Sequence, residues 1–167
     1  SGFWRSEWVG FKWFLRFFES TYFSRLMYNT LMINISKLII SYPVPILFAL
    51  LLNEVRSKYF KKVVQTVSYL PHFISWVVVI GMMNSILSPS QGFVNKLIVS
   101  LGGSTTYFMN EPSLFYPLIV GSNIWKNFGW SSILYLAAIT GVNPEMYEAA
   151  VIDGCGRLKQ AWYITLP

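Results

Sequence analysis

Between Val63 and Leu87 the chain reads VVQTVSYLPHFISWVVVIGMMNSIL, 25 residues without one Lys, Arg, Asp or Glu. About 20 apolar residues cross the hydrocarbon core of a bilayer as a helix, the one open-ended structure that satisfies its own backbone there. The run predicts a transmembrane helix over 63–87. A second run, 29–52, carries only Lys37 as a charge. That lysine costs about 2.5 to 3.5 kcal/mol near the centre, and more than ten Leu, Ile, Val and Phe at roughly 0.3 to 0.6 kcal/mol each outweigh it. Pro43 and Pro45 interrupt the hydrogen-bond ladder of this span and predict a bend there. A third run, 114–140, holds one charge, Lys126, close to its midpoint.

Composition agrees with lipid as the main solvent. The 167 residues are 54% apolar and only 12% charged, against roughly 25% charged in soluble domains. The net charge of +6 comes from scattered Lys and Arg with no basic helix and no aromatic RNA-binding signature, so nucleic acid is excluded as the partner and membrane lipid is expected. One cysteine, Cys155, and one histidine, His72, leave no disulfide and no ordinary metal cluster within the chain. The start at Ser1 and the end at Leu166-Pro167 without a polar tail predict a piece of a longer chain.

The connections suggest an orientation. Arg56, Lys58, Lys61 and Lys62 crowd the segment 53–62, which the positive-inside rule places in the cytoplasm. Residues 88–113 then lie outside, with Phe93 to Leu101 as an interfacial helix. The opening segment 1–28 lies outside as well, although Arg5, Lys12, Arg16 and Arg25 weigh against that assignment. Lys12, Arg16 and Glu19 recur there at helical spacing among Trp8, Val9, Phe11, Trp13, Phe14, Phe17 and Phe18. This is the pattern of a helix lying in the bilayer interface, or of one packed on the protein's own core.

Polar residues inside the spans are candidates for a substrate path. Asn123, Lys126, Asn127 and Trp130 share one helical face, and Ser68, His72, Ser75 and Trp76 share another around Pro71. Amides suit sugar hydroxyls, and aromatic rings suit the flat C–H faces of sugars. Contacts between neighbouring helices account for each residue equally well, His72 above all. Lys126, far from either interface, is expected to face a water-filled path. No GxxxG pair occurs, so close helix packing is left to small residues such as Gly81, Gly121, Ser122 and Ser131.

After 140 the chain turns polar. Asn143 is suited to cap a helix whose first position is Pro144, Glu145 and Glu148 favour its positive end, and Asp153-Gly154 closes it with a turn. A second short helix then resumes over Arg157 to Leu166. Glu148-Ala149-Ala150, Gly154 and Ile164-Thr165-Leu166-Pro167 stand in the pattern EAA, three residues, G, nine residues, I-x-L-P. This resembles the EAA loop of binding-protein-dependent ABC importer permeases. Asn53-Glu54-Val55-Arg56, Ser68-Tyr69-Leu70-Pro71, Ile124-Trp125-Lys126 and Gly129-Trp130 are similar to the carbohydrate branch of that family, especially its polysaccharide permeases.

The resemblance implies an all-α integral membrane fold of the MetI-like type, of which 1–167 would hold about three of six transmembrane helices and the cytoplasmic loop 141–167. It implies a multi-pass protein of a bacterial plasma or inner membrane. It further implies a second permease subunit, an extracytoplasmic solute-binding protein and a dimer of ATP-binding subunits that carries the ATP and magnesium. Glu148, Ala149, Ala150, Asp153 and Gly154 would form the coupling site, with Ala149 and Ala150 letting a partner groove approach. Independently of the resemblance, no GxxxxGK[ST] phosphate cradle and no credible nucleophile–base set occurs, so no enzyme activity and no cofactor are expected on this chain. A channel or secondary transporter also accommodates Lys126, but leaves the spacing over 148–167 without a reason.

Overall fold

The computed structural model describes residues 9–167, so the expectations at Arg5 and Trp8 lie outside the described residues. Helix α1, Lys12–Phe18, is short and buries no residue, which leaves Phe11, Trp13 and Phe14 exposed on this chain. Arg16 lies over the Trp13 ring, and Phe17 and Phe18 both meet Phe23 edge-on.

Ser20 caps α2, Thr21–Ser36, by accepting from the Tyr22 N–H. The helix therefore begins eight residues before the expected span at 29, because a capping serine and not the polar Asn29 sets its start. A π-turn, Lys37–Ser41, leads into α3, Pro43–Glu54, and the three run on as one helix from Thr21 to Glu54. The prolines thus do not interrupt the helix, and the ladder they were expected to break is carried through by the wider turn. In the wider turn the Tyr42 N–H bonds back five residues to the Lys37 carbonyl, which makes room for a ring that cannot donate and would otherwise press on the preceding turn.

The charge-free run does not form one straight helix. Helix α4, Lys58–Tyr69, tightens into a 3-10 turn over Leu70–Phe73, stops at Ile74, and restarts as α5, Trp76–Ile86, bent by 98° from the segment before it. Pro71 tightens the chain and Ser75 caps α5 from outside, so two local signals override an apolar run long enough to span. Helix α6, Phe93–Ser100, is held by Asn95, 1% exposed. Its amide donates to the carbonyls of Leu87, Ser88 and Thr106 and its oxygen accepts from the Thr106 N–H. No sequence signal marked that role.

Helix α7, Phe115–Thr140, is the organising element. It packs along α3, where Ala49, Leu52, Leu136 and Ile139 form the buried core and Phe48 meets Phe128 edge-on at 5.0 Å. Among the described residues one helix, Thr21–Glu54, is long and apolar enough to cross a membrane, and the bent pair α4–α5 qualifies only if taken together. Helix α7 has 26 residues but its polar block around Lys126 dilutes it, so it does not meet that measure. The chain ends in α8, Pro144–Ile152, and α9, Arg157–Gln160, the latter continued by a π-turn to Thr165.

Candidate functional site

The break between α4 and α5 leaves carbonyl groups without helical partners in an apolar setting. Lys126 reaches them from α7: its Nζ donates to the carbonyls of His72 at 2.5 Å, Ile74 at 2.6 Å and Pro71 at 3.4 Å. Only 6% of the residue is exposed, and the ammonium also lies 5.7 Å from the Trp76 ring centre. The expectation of a water-filled path at Lys126 is therefore corrected. Backbone oxygens at a helix C-terminus already supply the negative charge that the cation needs.

His72 is brought to the same crossing. Asn127 donates its amide to the Asn123 carbonyl, which turns its Oδ1 toward His72 Nδ1 at 3.1 Å and makes that ring nitrogen the donor. The imidazole stacks on Trp130, with ring centres 4.7 Å apart and planes 3° from parallel. The helices come this close because position 129 is glycine. A β-carbon there would stand 2.1 Å from the Ser68 carbonyl oxygen, whereas Gly81 and Gly121, expected to serve such packing, have nothing within 4 Å. The two polar faces read from the sequence thus meet each other at this crossing through His72–Asn127 and Trp76–Lys126.

Beside the crossing, a cavity of about 810 Å³ lies between the Thr21–Glu54 helix and α7, lined by Lys37, Ser41, Asn123, Asn127 and Trp130 among others. A second cavity of about 430 Å³, which includes Trp76, shares Lys37 and Asn123 with the first. Of the expected path residues, Trp76, Asn123, Asn127 and Trp130 line these spaces, while His72 and Lys126 line neither.

At the other end of α7, Asn143 accepts from the Glu145 N–H and starts α8 with Pro144 in its first turn. The helix ends in a Schellman closure: the Cys155 N–H bonds to the Ala150 carbonyl at 2.8 Å and the Gly154 N–H to that of Val151. Gly154 holds φ at +73°, the left-handed region that a side chain disfavours. Glu148, Ala149 and Asp153 are exposed, but Ala150 is buried, so only one of the two alanines is on the surface. Next to them Val151, Ile152, Leu158, Trp162 and Tyr163 are exposed as well. Tyr147 and Thr165 join the two arms of the hairpin, and Arg157 pairs with Glu54 at the end of α3, a contact with no sequence signal of its own.

Helices with apolar outer faces that turn their cations and amides toward one another define a membrane-embedded helical protein. The chain belongs to the binding-protein-dependent transport system inner membrane components, whose family model matches residues 41–167. It is 47% identical over 166 residues to Protein LplB of Bacillus subtilis strain 168, covering 99% of this chain and 52% of LplB. It is 52% identical over 162 residues to the polygalacturonan/rhamnogalacturonan transport system permease protein YteP of the same organism, covering 97% of this chain and 50% of YteP. Among solved structures it superposes on a chain of a bacterial ABC transporter involved in the import of the acidic polysaccharide alginate. The TM-score is 0.93 at 46% identity, over 98% of this chain and 57% of that one. A second structure of the alginate transporter, in complex with an alginate pentasaccharide-bound periplasmic protein, matches at a TM-score of 0.91. The chain spans about half the length of the relatives it matches.

Proposed function

We propose that this chain is part of a permease subunit of an ATP-driven importer for oligo- or polysaccharides, crossing an inner membrane several times. The broken pair α4–α5, the long Thr21–Glu54 helix and α7 form one wall of the path. A second permease subunit completes it, and an extracytoplasmic solute-binding protein delivers the saccharide. ATP and magnesium belong to a dimer of separate ATP-binding subunits.

The observation that carries this reading is the hairpin over 144–165. Helix α8 presents Glu148 and Ala149 beside exposed Val151 and Ile152, and the left-handed Gly154 fixes the angle at which α9 leaves. A short helix with a small residue on its face admits a partner groove closely, and its carboxylate accepts from a donor there. Such a helix transmits closure of the ATP-binding dimer to α7, from which only the 141–143 turn separates it. Replacing Gly154 with Val tests the reading in the whole transporter. No atom lies within 4 Å of the added β-carbon, and the left-handed φ strains any side chain placed there. Loss of co-purification with the ATP-binding subunit at normal membrane yield is expected; undiminished co-purification and uptake would overturn the coupling role.

A further inference from the structure

Lys37 has no counter-charge among the described residues. It stands after the 16 residues of α2 and before α3, near the middle of the Thr21–Glu54 helix. It pairs with no acid among the described residues, whose one ion pair is Arg157 with Glu54. Lys126 shows how this chain neutralises a lysine for purely structural ends, by giving it three carbonyls. Lys37 receives no such set, although an uncompensated cation at this depth costs about 2.5 to 3.5 kcal/mol or more.

Its surroundings point to a ligand. Lys37 opens the π-turn Lys37–Ser41, a widened turn of the kind that recurs at functional sites. Ser41, which closes that turn, buries its Oγ without any hydrogen-bond partner and lines the larger cavity. Lys37 and Asn123 are the two residues common to both cavities that also carry a polar head, so they stand where one space passes into the other. Trp130 on one side and Trp76 on the other give each space an aromatic wall.

We propose that Lys37, with Asn123, is a carboxylate-binding station in the path, and that the saccharide carried is an acidic one whose uronate groups pass it. This rests on the importer reading above. An anionic sugar brings the charge that Lys37 lacks, and an ammonium–carboxylate contact is about twice as strong as one between neutral groups. The Asn123 amide takes the neighbouring ring hydroxyls, and the indoles take the C–H faces. A neutral sugar would leave the cation uncompensated.

The test uses the whole transporter with its partner subunits in proteoliposomes, loaded with an oligogalacturonide or its methyl ester of equal length. Lys37→Gln is expected to lower uptake of the acid at least tenfold, with the ester changed less than twofold, while Lys37→Arg keeps more than half of the acid uptake. Equal loss on both sugars, or no loss, would overturn the station and leave the importer reading intact. If the wild type does not carry the ester, loss with Gln and retention with Arg on the acid supports the station; loss with both or with neither overturns it. Wild-type vesicles that move neither sugar, nor any neutral saccharide, would overturn the importer reading and the station with it.

Discussion

Lys37 and Lys126 give the same signal in the sequence, a lone cation near the middle of an apolar run, and they end in opposite surroundings. Lys126 faces a helix that breaks, and the break exposes the carbonyls of Pro71, His72 and Ile74 to it. Lys37 sits in a helix that widens but does not break, so its own backbone offers no free carbonyl set, and it looks onto two cavities. A lysine within an apolar run is thus clamped when a broken helix faces it and available when a cavity does. The side chain and its hydropathy are the same in both cases.

The sharpest way to break this contrast is to remove each charge in turn. Lys126→Leu strands three carbonyls in an apolar crossing, at about 1 to 3 kcal/mol for each one that finds no other donor. The expected loss is about 3 to 5 kcal/mol in unfolding free energy, read by denaturant titration in detergent. Lys37→Leu removes a cation that no described residue neutralises and is expected to leave stability unchanged within about 0.5 kcal/mol, or to raise it. Equal stability of the two variants would end the distinction.

Glycine provides a second contrast along α7. Gly129→Ala would set a methyl against the Ser68 carbonyl, and backbone cannot move aside as a flexible side chain does. It is expected to destabilise by about 1 to 3 kcal/mol and to loosen the Lys126 clamp with it. Gly121→Ala, with open space at the same helix's other glycine, is expected to be neutral or to gain up to about 1 kcal/mol from helix propensity. Thermal unfolding of both variants checks the opposite signs.

What the sequence made legible follows the range of the interaction that decides it. The hairpin over 144–165 was readable because Asn143, Pro144 and Gly154 act on their own backbone within a few residues, and the 144–152 helix lies between those signals. Helix α7 was readable as a helix from its length, although its polar block leaves it short of the apolarity of a membrane span. The break at Ile74 was hidden because the apolar run is continuous, although Pro71 and Ser75 carried the local signal for it. The role of Lys126 was misassigned because its partners are backbone atoms more than fifty positions away, which no side-chain pattern records. Gly129 and Asn95 were missed for the same reason, since their partners at Ser68 and Thr106 are carbonyls and amides.

Arg157 offers a third kind of charge, and it gives the smallest expected effect. It pairs with Glu54, yet both side chains remain largely open to solvent at 62% and 48% exposure. Water screens such a pair, and holding two long side chains together offsets much of the Coulomb gain, so exposed pairs contribute about 0.2 to 1 kcal/mol. Arg157→Ala combined with Glu54→Ala in a double-mutant cycle is expected to give a coupling energy in that range. The coupling should fade toward 1 M salt, where the screening length shrinks to about 3 Å. Lys126 should not respond to salt in this way, because it is buried. A coupling above about 2 kcal/mol that survives high salt would mean that the pair is covered in the assembled protein. The end of α3 would then be part of the same contact surface as α8, and the hairpin would be anchored to the membrane body by a desolvated pair.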